Sequence, residues 1–157
     1  MSVKSVKEFL KNKAPDLEIT EHNISTASVD EAALAHSVKP GQIVKTIALM
    51  LDQPILLMVA GDTKIDNKKY KNIFKKKAKM LSGEQTEEFT SHPIGGVCPF
   101  GLPVKLNIYA DISLDNYDFV IPAAGSRNSS VIIEKNRLLE MVSATKVDAV
   151  SYTHLTL

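Results

Sequence analysis

The sequence predicts an α+β domain built around a curved sheet. Segments with strand character outnumber segments with helical periodicity. The two kinds are interspersed along the chain without the regular βαβ alternation that is typical of a parallel α/β fold. The chain has 157 residues, of which 44% are hydrophobic, and this suits one domain with one core.

Periodicity, capping residues and turn residues predict the individual elements. Val3, Val6 and Leu10 recur at helical spacing, and Ser28 with Glu31 has the pattern of a capping box that begins a second helix. Apolar runs bounded by turn residues predict buried strands. The predicted strands are residues 17–20, 42–51, 55–60, 78–81, 104–111, 119–122 and 131–134. The predicted helices are residues 3–10, 31–36, 67–76, 84–89 and 136–143.

Composition limits the classes of function. A single cysteine excludes an internal disulfide, and four scattered histidines show no metal-ligand spacing, so we expect no metal site. We also expect no cofactor. A reducing cytoplasm is the expected location. The apolar stretch over residues 47–60 is interrupted by Asp52-Gln53-Pro54, and we therefore expect no membrane span or membrane partner. A net charge of +1 provides no general attraction for nucleic acid.

Lys45 is the first candidate for chemistry. Side chains alternate along a strand, so Ile43, Lys45 and Ile47 share one face of the strand predicted over residues 42–51, and Thr46 lies on the other. Burying a lysine between isoleucines is costly unless its ammonium group finds a partner. Lys45 therefore either extends to the surface at a sheet edge or points into a cleft and binds an anion or a carbonyl group.

The loop over residues 91–103 is the second candidate, with three of the seven glycines and three of the seven prolines. Glycines let a backbone approach a ligand closely, and free N–H groups in a rigid loop can stabilise an oxyanion. A structural turn that packs Phe100 is the alternative. A catalytic pair of Cys98 and His92 lacks a third, orienting group, and we expect Cys98 to be a neutral packing residue.

Two further segments have binding potential. Residues 123–130 follow a strand and consist mostly of small residues, which suits either a pocket wall or a plain hairpin loop. Eight lysines lie between residues 64 and 79 and form either a solvated helix face or a contact with a phosphate backbone. The candidate tRNA-binding lysines among them are Lys68, Lys69, Lys75 and Lys76.

Taken together, these segments resemble the YbaK/EbsC family, which also includes the editing insertion domain of bacterial prolyl-tRNA synthetases. A strand lysine and a Gly-x-x-x-Pro loop are the family's most diagnostic features, and here they are Lys45 and Gly95–Pro99. The resemblance covers about residues 20–148. The matching segments, in order, are Glu21-His22, Ala32-Ala33, Gln42–Thr46, Gly95–Gly101 and Ala124–Asn128.

The resemblance implies a mainly antiparallel sheet with flanking helices and a trans-editing activity. In this activity the ester between a small amino acid and the 3′-terminal ribose of tRNA is hydrolysed, with no metal and no established protein nucleophile. The family's lysine holds the terminal adenosine region, and its loop backbone holds the aminoacyl carbonyl. Our candidate catalytic residues are Lys45, Gly95 and Gly96. The candidate substrate-binding residues are Thr46, Val97, Cys98, Pro99, Gly125, Ser126 and Asn128.

The sequence leaves two other functions open. A binding module with the same fold would retain aminoacyl-tRNA or a small ligand without turnover, and a general nucleic-acid binder would use only the lysine-rich segment. The expected partner is the aminoacylated 3′ end of tRNA, with an aminoacyl-tRNA synthetase as a further candidate. We expect one domain over residues 1–150 and a tail over residues 151–157 whose pattern has no connection with the domain.

Overall fold

The computed structural model describes residues 2–153 and contains five α-helices and ten strands in that range. The helices are α1 (Ser2–Lys13), α2 (Val29–His36), α3 (Asn67–Phe74), α4 (Gly83–Thr90) and α5 (Lys135–Met141). The strands are β1 (Thr20–Glu21), β2 (Ile43–Met50), β3 (Pro54–Ala60), β4 (Thr63–Ile65), β5 (Asn107–Asp111), β6 (Phe119–Pro122), β7 (Ser129–Ser130), β8 (Ile133–Glu134), β9 (Thr145–Val147) and β10 (Val150–Tyr152).

A six-stranded sheet with the order β8-β6-β2-β3-β5-β9 forms the centre of the fold. Its middle is the antiparallel β2–β3 hairpin, and β6 and β5 run parallel to the two hairpin strands. Two small antiparallel pairs, β1–β7 and β4–β10, lie outside this sheet. Antiparallel pairings outnumber parallel ones by four to three within the described residues. The predicted α+β class with a mainly antiparallel sheet is confirmed.

The central hairpin is buried on both faces because its strands are apolar at almost every position. Five consecutive residues of β3, Leu56 to Ala60, have no exposed surface. Along β2, Val44 and Ala48 join one core cluster, whereas Ile47 and Leu49 join a second cluster on the opposite face. Full burial of one such side chain contributes about 1.5–3 kcal/mol, so the hairpin is a rigid support for whatever it carries.

The predicted helix starts follow from their capping residues. Ser28 and Ser82 each accept a hydrogen bond from the third helical residue, and both form complete capping boxes. Asp66 accepts hydrogen bonds from two backbone N–H groups at the start of α3. Helix α3 ends at Phe74, two residues before the predicted end, because Lys75 adopts a left-handed conformation with φ of 63°.

Several predicted strands are shorter in the structure. Residues 78–81 form only one bridge, between Met80 and Leu49, and residues 104–106 are not part of β5. The short strands β4 and β10 were not predicted. Val150–Tyr152 pairs with Thr63–Ile65, so the boundary predicted after residue 150 falls inside β10. Residues 154–157 of the predicted tail lie outside the described residues.

Candidate functional site

A cavity of about 470 Å³ lies beside β2 and is predominantly apolar. Strand β6 pairs with β2 only at Ile43 and Val44, and the next contacts along this edge are made by residues 79–81 with Ala48, Leu49 and Met50. Residues 45–47 therefore have no strand partner on this side within the described chain. The cavity occupies this gap in the sheet, where a ligand can reach both the strand edge and the adjacent loops.

Lys45 lies in the gap and lines the cavity. Its ammonium group donates a hydrogen bond of 2.5 Å to the carbonyl oxygen of Thr63. Partial burial lowers the pKa of Lys45, and the nearby Asp62 carboxylate partly opposes this effect. An ammonium group has three donors, and among residues 2–153 its hydrogen-bond partner is the Thr63 carbonyl oxygen, so Lys45 keeps two N–H groups for a ligand.

The glycine loop forms the wall that faces β2. Gly95 lines the cavity with φ of +94°, and a Cβ atom at this position would lie 2.9 Å from Ala27 Cβ. Gly95 is therefore required both by its backbone conformation and by the lack of space. Val97 and Ile94 line the cavity beside it. Four of the candidate residues therefore line one cavity: Lys45, Thr46, Gly95 and Val97.

Gly96 has a different position from the one expected. Its N–H donates to the carbonyl oxygen of Pro93 at 2.9 Å, and its own carbonyl oxygen accepts from Gly125 N–H at 3.0 Å. Both backbone groups are thus committed within the protein, and Gly96 is absent from the cavity lining. Gly96 packs against the Ser126 backbone, so its observed contacts are structural ones.

Cys98 and Pro99 are buried away from the cavity lining. Burial raises the pKa of the Cys98 thiol to about 12, so the thiol is protonated at neutral pH. The His92 Nε2 atom lies 2.7 Å from the Phe100 carbonyl oxygen and 3.5 Å from Cys98 Sγ. His92 donates to that carbonyl group and ties the two ends of the loop together. Cys98 fills space beneath the loop.

The turn over residues 125–128 braces the loop and does not line the cavity. Asn128 donates from its side-chain amide to the His22 carbonyl oxygen and accepts from the Ser126 hydroxyl group. Arg127 Nε donates to the Ile94 carbonyl oxygen at 3.0 Å. Gly125, Ser126 and Asn128 therefore have supporting contacts in the structure, whereas Ser129 and Ser130, which follow the turn, do line the cavity.

Two histidines form hydrogen bonds with Ser130, and the sequence did not predict this cluster. His22 Nε2 and His36 Nε2 lie 3.0 Å and 2.6 Å from Ser130 Oγ, and the two rings are perpendicular with centroids 4.9 Å apart. Spacing along the sequence gives no sign of this cluster, because β1, α2 and β7 come together only in the folded chain.

The lysine-rich segment lies partly at the cavity and partly on α3. Lys64 lines the cavity, and the four candidate lysines lie in α3 or just after it. A hydrogen bond to Asp148 raises the pKa of Lys69, and Lys76 pairs with Asp52 at 2.6 Å. Within the described residues, Lys68 and Lys75 form no ion pair and remain available to an external phosphate group.

The described residues also limit other kinds of site. Between residues 2 and 153, no group of three or more His, Cys, Asp or Glu side chains is arranged to hold a metal ion. In the same range, no helix combines the length and the apolar character needed to cross a bilayer.

The fold and the cavity define a class of small α+β domain that presents a strand lysine and a glycine loop to a ligand in a gap of its central sheet. The aminoacyl-tRNA editing domain matches residues 23–141, and the chain therefore belongs to that family. The resemblance predicted from the sequence is confirmed.

Relatives of known sequence and structure agree with this assignment. The uncharacterised protein YwhH of Bacillus subtilis is 42% identical over 142 residues, which cover 89% of this chain and 90% of YwhH. A proline–tRNA ligase of Citrifermentans bemidjiense is 30% identical over 99 residues, or 61% of this chain but only 17% of the ligase. The crystal structure of a candidate trans-editing enzyme for prolyl tRNA synthetase has a TM-score of 0.89 and 28% identity, and the alignment covers 96% of this chain and 97% of that structure.

Proposed function

We propose that this protein is a trans-acting aminoacyl-tRNA deacylase that hydrolyses the ester of tRNA mischarged with a small amino acid. The observation that carries the proposal is one cavity that holds both a strand lysine with two free N–H donors and a glycine loop at close range. The family assignment supports a role in tRNA editing.

In the proposed reaction, a water molecule attacks the ester carbonyl carbon. The bond to the ribose oxygen then breaks, and the products are the free amino acid and a tRNA with an intact terminal hydroxyl group. The backbone N–H groups of Gly95 and Val97 are the proposed donors to the developing oxyanion, because the N–H of Gly96 is already bonded to Pro93. Lys45 holds the terminal adenosine region through its free N–H groups.

A protein nucleophile is not part of this mechanism. The thiol of Cys98 is fully buried and protonated, and it lies away from the cavity lining. An ester of an amino acid is already activated, so positioning of water and stabilisation of the oxyanion supply the rate acceleration.

The size and lining of the cavity support the proposed preference for a small amino acid. The cavity must hold the acyl group together with part of the terminal ribose, and its wall consists of closely packed apolar residues such as Ala48, Leu81 and Ile121. The proposed acyl groups are alanyl and cysteinyl. Because its substrate is made during translation, we expect the activity in the cytoplasm, alone or beside an aminoacyl-tRNA synthetase.

The test is release of amino acid from proline tRNA carrying alanine or cysteine. We expect Lys45→Met to lower kcat/KM by about 10–100-fold, the range for loss of a charge-assisted hydrogen bond. Lys105→Met is the matched control, because Lys105 is an exposed lysine outside the cavity lining and should leave the rate unchanged.

The outcomes separate the alternatives. Equal rates for wild type and Lys45→Met would refute the proposed role of the lysine. Tight binding of aminoacyl-tRNA without any release would favour a non-catalytic binding module. Binding that depends on Lys68–Lys79 and ignores the acyl group would favour a general nucleic-acid binder.

A further inference from the structure

Ser130 lines the cavity, and its hydroxyl group is hydrogen-bonded to two imidazole rings. Ser130 lies in β7, is 2% exposed and lines the cavity. His36 Nε2 is 2.6 Å from Ser130 Oγ, and His22 Nε2 is 3.0 Å from the same atom. A single hydroxyl group has one proton, so it can donate to only one of the two rings.

The two distances indicate which ring receives the proton. A separation of 2.6 Å is typical of a hydroxyl donor and is shorter than the usual N–H···O range, whereas 3.0 Å is the commonest N–H···O distance. On this basis we assign Ser130 as the donor to His36 and His22 as the donor to Ser130. Burial lowers the pKa of His36, with a further contribution from His22, and this favours the neutral imidazole that the assignment requires.

This arrangement leaves Ser130 Oγ with one unused lone pair and no proton to offer. Ser130 itself lines the cavity, whereas His22 and His36 do not, so the free lone pair is the part of the hydroxyl group that remains for a ligand, as an acceptor and not as a donor. Lys45, which also lines the cavity, has the contrary character, because its ammonium group offers only donors and repels a positive charge. A ligand that contains both a carbonyl group and an amino group thus has one favourable orientation in the cavity.

We propose that Ser130 accepts a hydrogen bond from the α-amino group of the bound aminoacyl moiety, with His36 holding the hydroxyl proton and His22 fixing the oxygen. This assignment rests on the proposed function and makes Ser130 a specificity-determining residue that distinguishes an aminoacyl ester from an ester without an amino group. An amino group is a donor whether neutral or protonated, so the contact persists in both states. His22 and His36 are positioning residues, since they act through Ser130.

The test compares proline tRNA charged with alanine and with propionate, which differ only in the α-amino group. We expect wild type to prefer the alanyl ester and Ser130→Ala to reduce that preference by about tenfold, mainly through KM, as expected for loss of one hydrogen bond to a charged group. Ser130→Thr keeps the hydroxyl group and should restore the preference. Ser113→Ala is the control, because Ser113 is a similarly buried serine whose hydroxyl group bonds to Ala60 N–H outside the cavity.

The outcomes distinguish this inference from the proposed function. If wild type is active and Ser130→Ala changes both substrates equally, the inference is wrong and the deacylase function stands. An acyl group trapped on Ser130 in a mass spectrum would make Ser130 a nucleophile and would also overturn it.

If wild type releases no amino acid from any substrate, the proposed function fails and binding decides the inference. In that case the imidazole ¹⁵N resonances of His22 and His36 should move with alaninamide and remain unchanged with propionamide. Equal shifts, or no shifts with either compound, would refute the recognition of an amino group.

Discussion

Replacement of Gly96 by alanine tests how closely the loop must approach its support. The added Cβ atom would lie 2.7 Å from both the N and C atoms of Ser126 and 2.8 Å from its Cα atom. All three are backbone atoms, so rotation of a side chain gives no relief. The loop and the turn must separate by about 0.7 Å before this contact reaches an ordinary van der Waals distance.

This displacement has separate consequences for stability and for activity. Overpacking of this kind typically costs about 1–3 kcal/mol, and each kcal/mol lowers Tm by roughly 2–4 °C in a domain of this size. The shift also moves Gly95 and Val97, the proposed oxyanion donors. A misplacement of about 1 Å costs on the order of a hundredfold in rate, so we expect a fall in kcat of roughly 10–100-fold.

The assay combines thermal unfolding with deacylation well below Tm, so that the protein is folded during the rate measurement. Gly83→Ala is the matched control, because its nearest contact would be Ile94 Cδ1 at an ordinary 3.6 Å and the residue begins α4. We expect that variant to keep its rate and its stability, or to gain slightly in stability. If Gly96→Ala behaves like Gly83→Ala in both measurements, the close-packing argument is refuted.

Three further predictions concern the thiol, a helix cap and the lysines. In the folded state the Cys98 thiol has a pKa of about 12 and stays protonated where the unfolded thiol ionises. The free energy of unfolding should therefore fall as pH rises from about 9, by up to about 1.4 kcal/mol per pH unit. The free energy of unfolding of Cys98→Ala should lack this pH dependence. The native thiol should also resist iodoacetamide, and rapid alkylation would contradict its burial. Ser28→Ala removes a capping box and should cost about 1 kcal/mol in chemical denaturation, whereas an unchanged midpoint would contradict the assigned cap. Lys68→Ala and Lys75→Ala should each reduce the slope of log K for tRNA binding against log salt concentration by the equivalent of about one phosphate contact. Both should have more effect than Lys69→Ala, because Lys69 is paired with Asp148. An unchanged slope would remove α3 from the tRNA interface.

Local chemistry explains why much of the fold could be predicted. Ser28, Asp66 and Ser82 begin helices through hydrogen bonds to residues two or three positions away, and such bonds depend only on nearby sequence. The apolar β2 and β3 strands are similarly evident from their composition. The short strands β4 and β10 exist only because they pair with each other across more than 80 residues, and no local pattern distinguishes them from loop.

The candidate site was predictable to the extent that it consists of residues with unusual local properties. Lys45 is a charge in an apolar strand, and the residues near Gly95 form a glycine cluster, so the sequence alone indicates both. The roles of Gly96 and Ser130 depend on partners that are distant in the sequence. Gly96 is hydrogen-bonded to Gly125, and Ser130 is hydrogen-bonded to two histidines. Only the folded chain shows that the backbone groups of Gly96 are occupied and that Ser130 lines the cavity.

The length of the gap in the edge of β2 limits what can bind there. It is bounded by paired residues at both ends, and the unpaired window over residues 45–47 is only about 10 Å long at roughly 3.3 Å per residue. An incoming peptide strand needs a longer continuous edge to form a β-ladder, so the short window excludes it whatever its side chains are. The proposed ligand, one amino acid on one ribose, does not need a longer edge. The sheet thereby leaves one strand edge open inside the protein without becoming a template for aggregation.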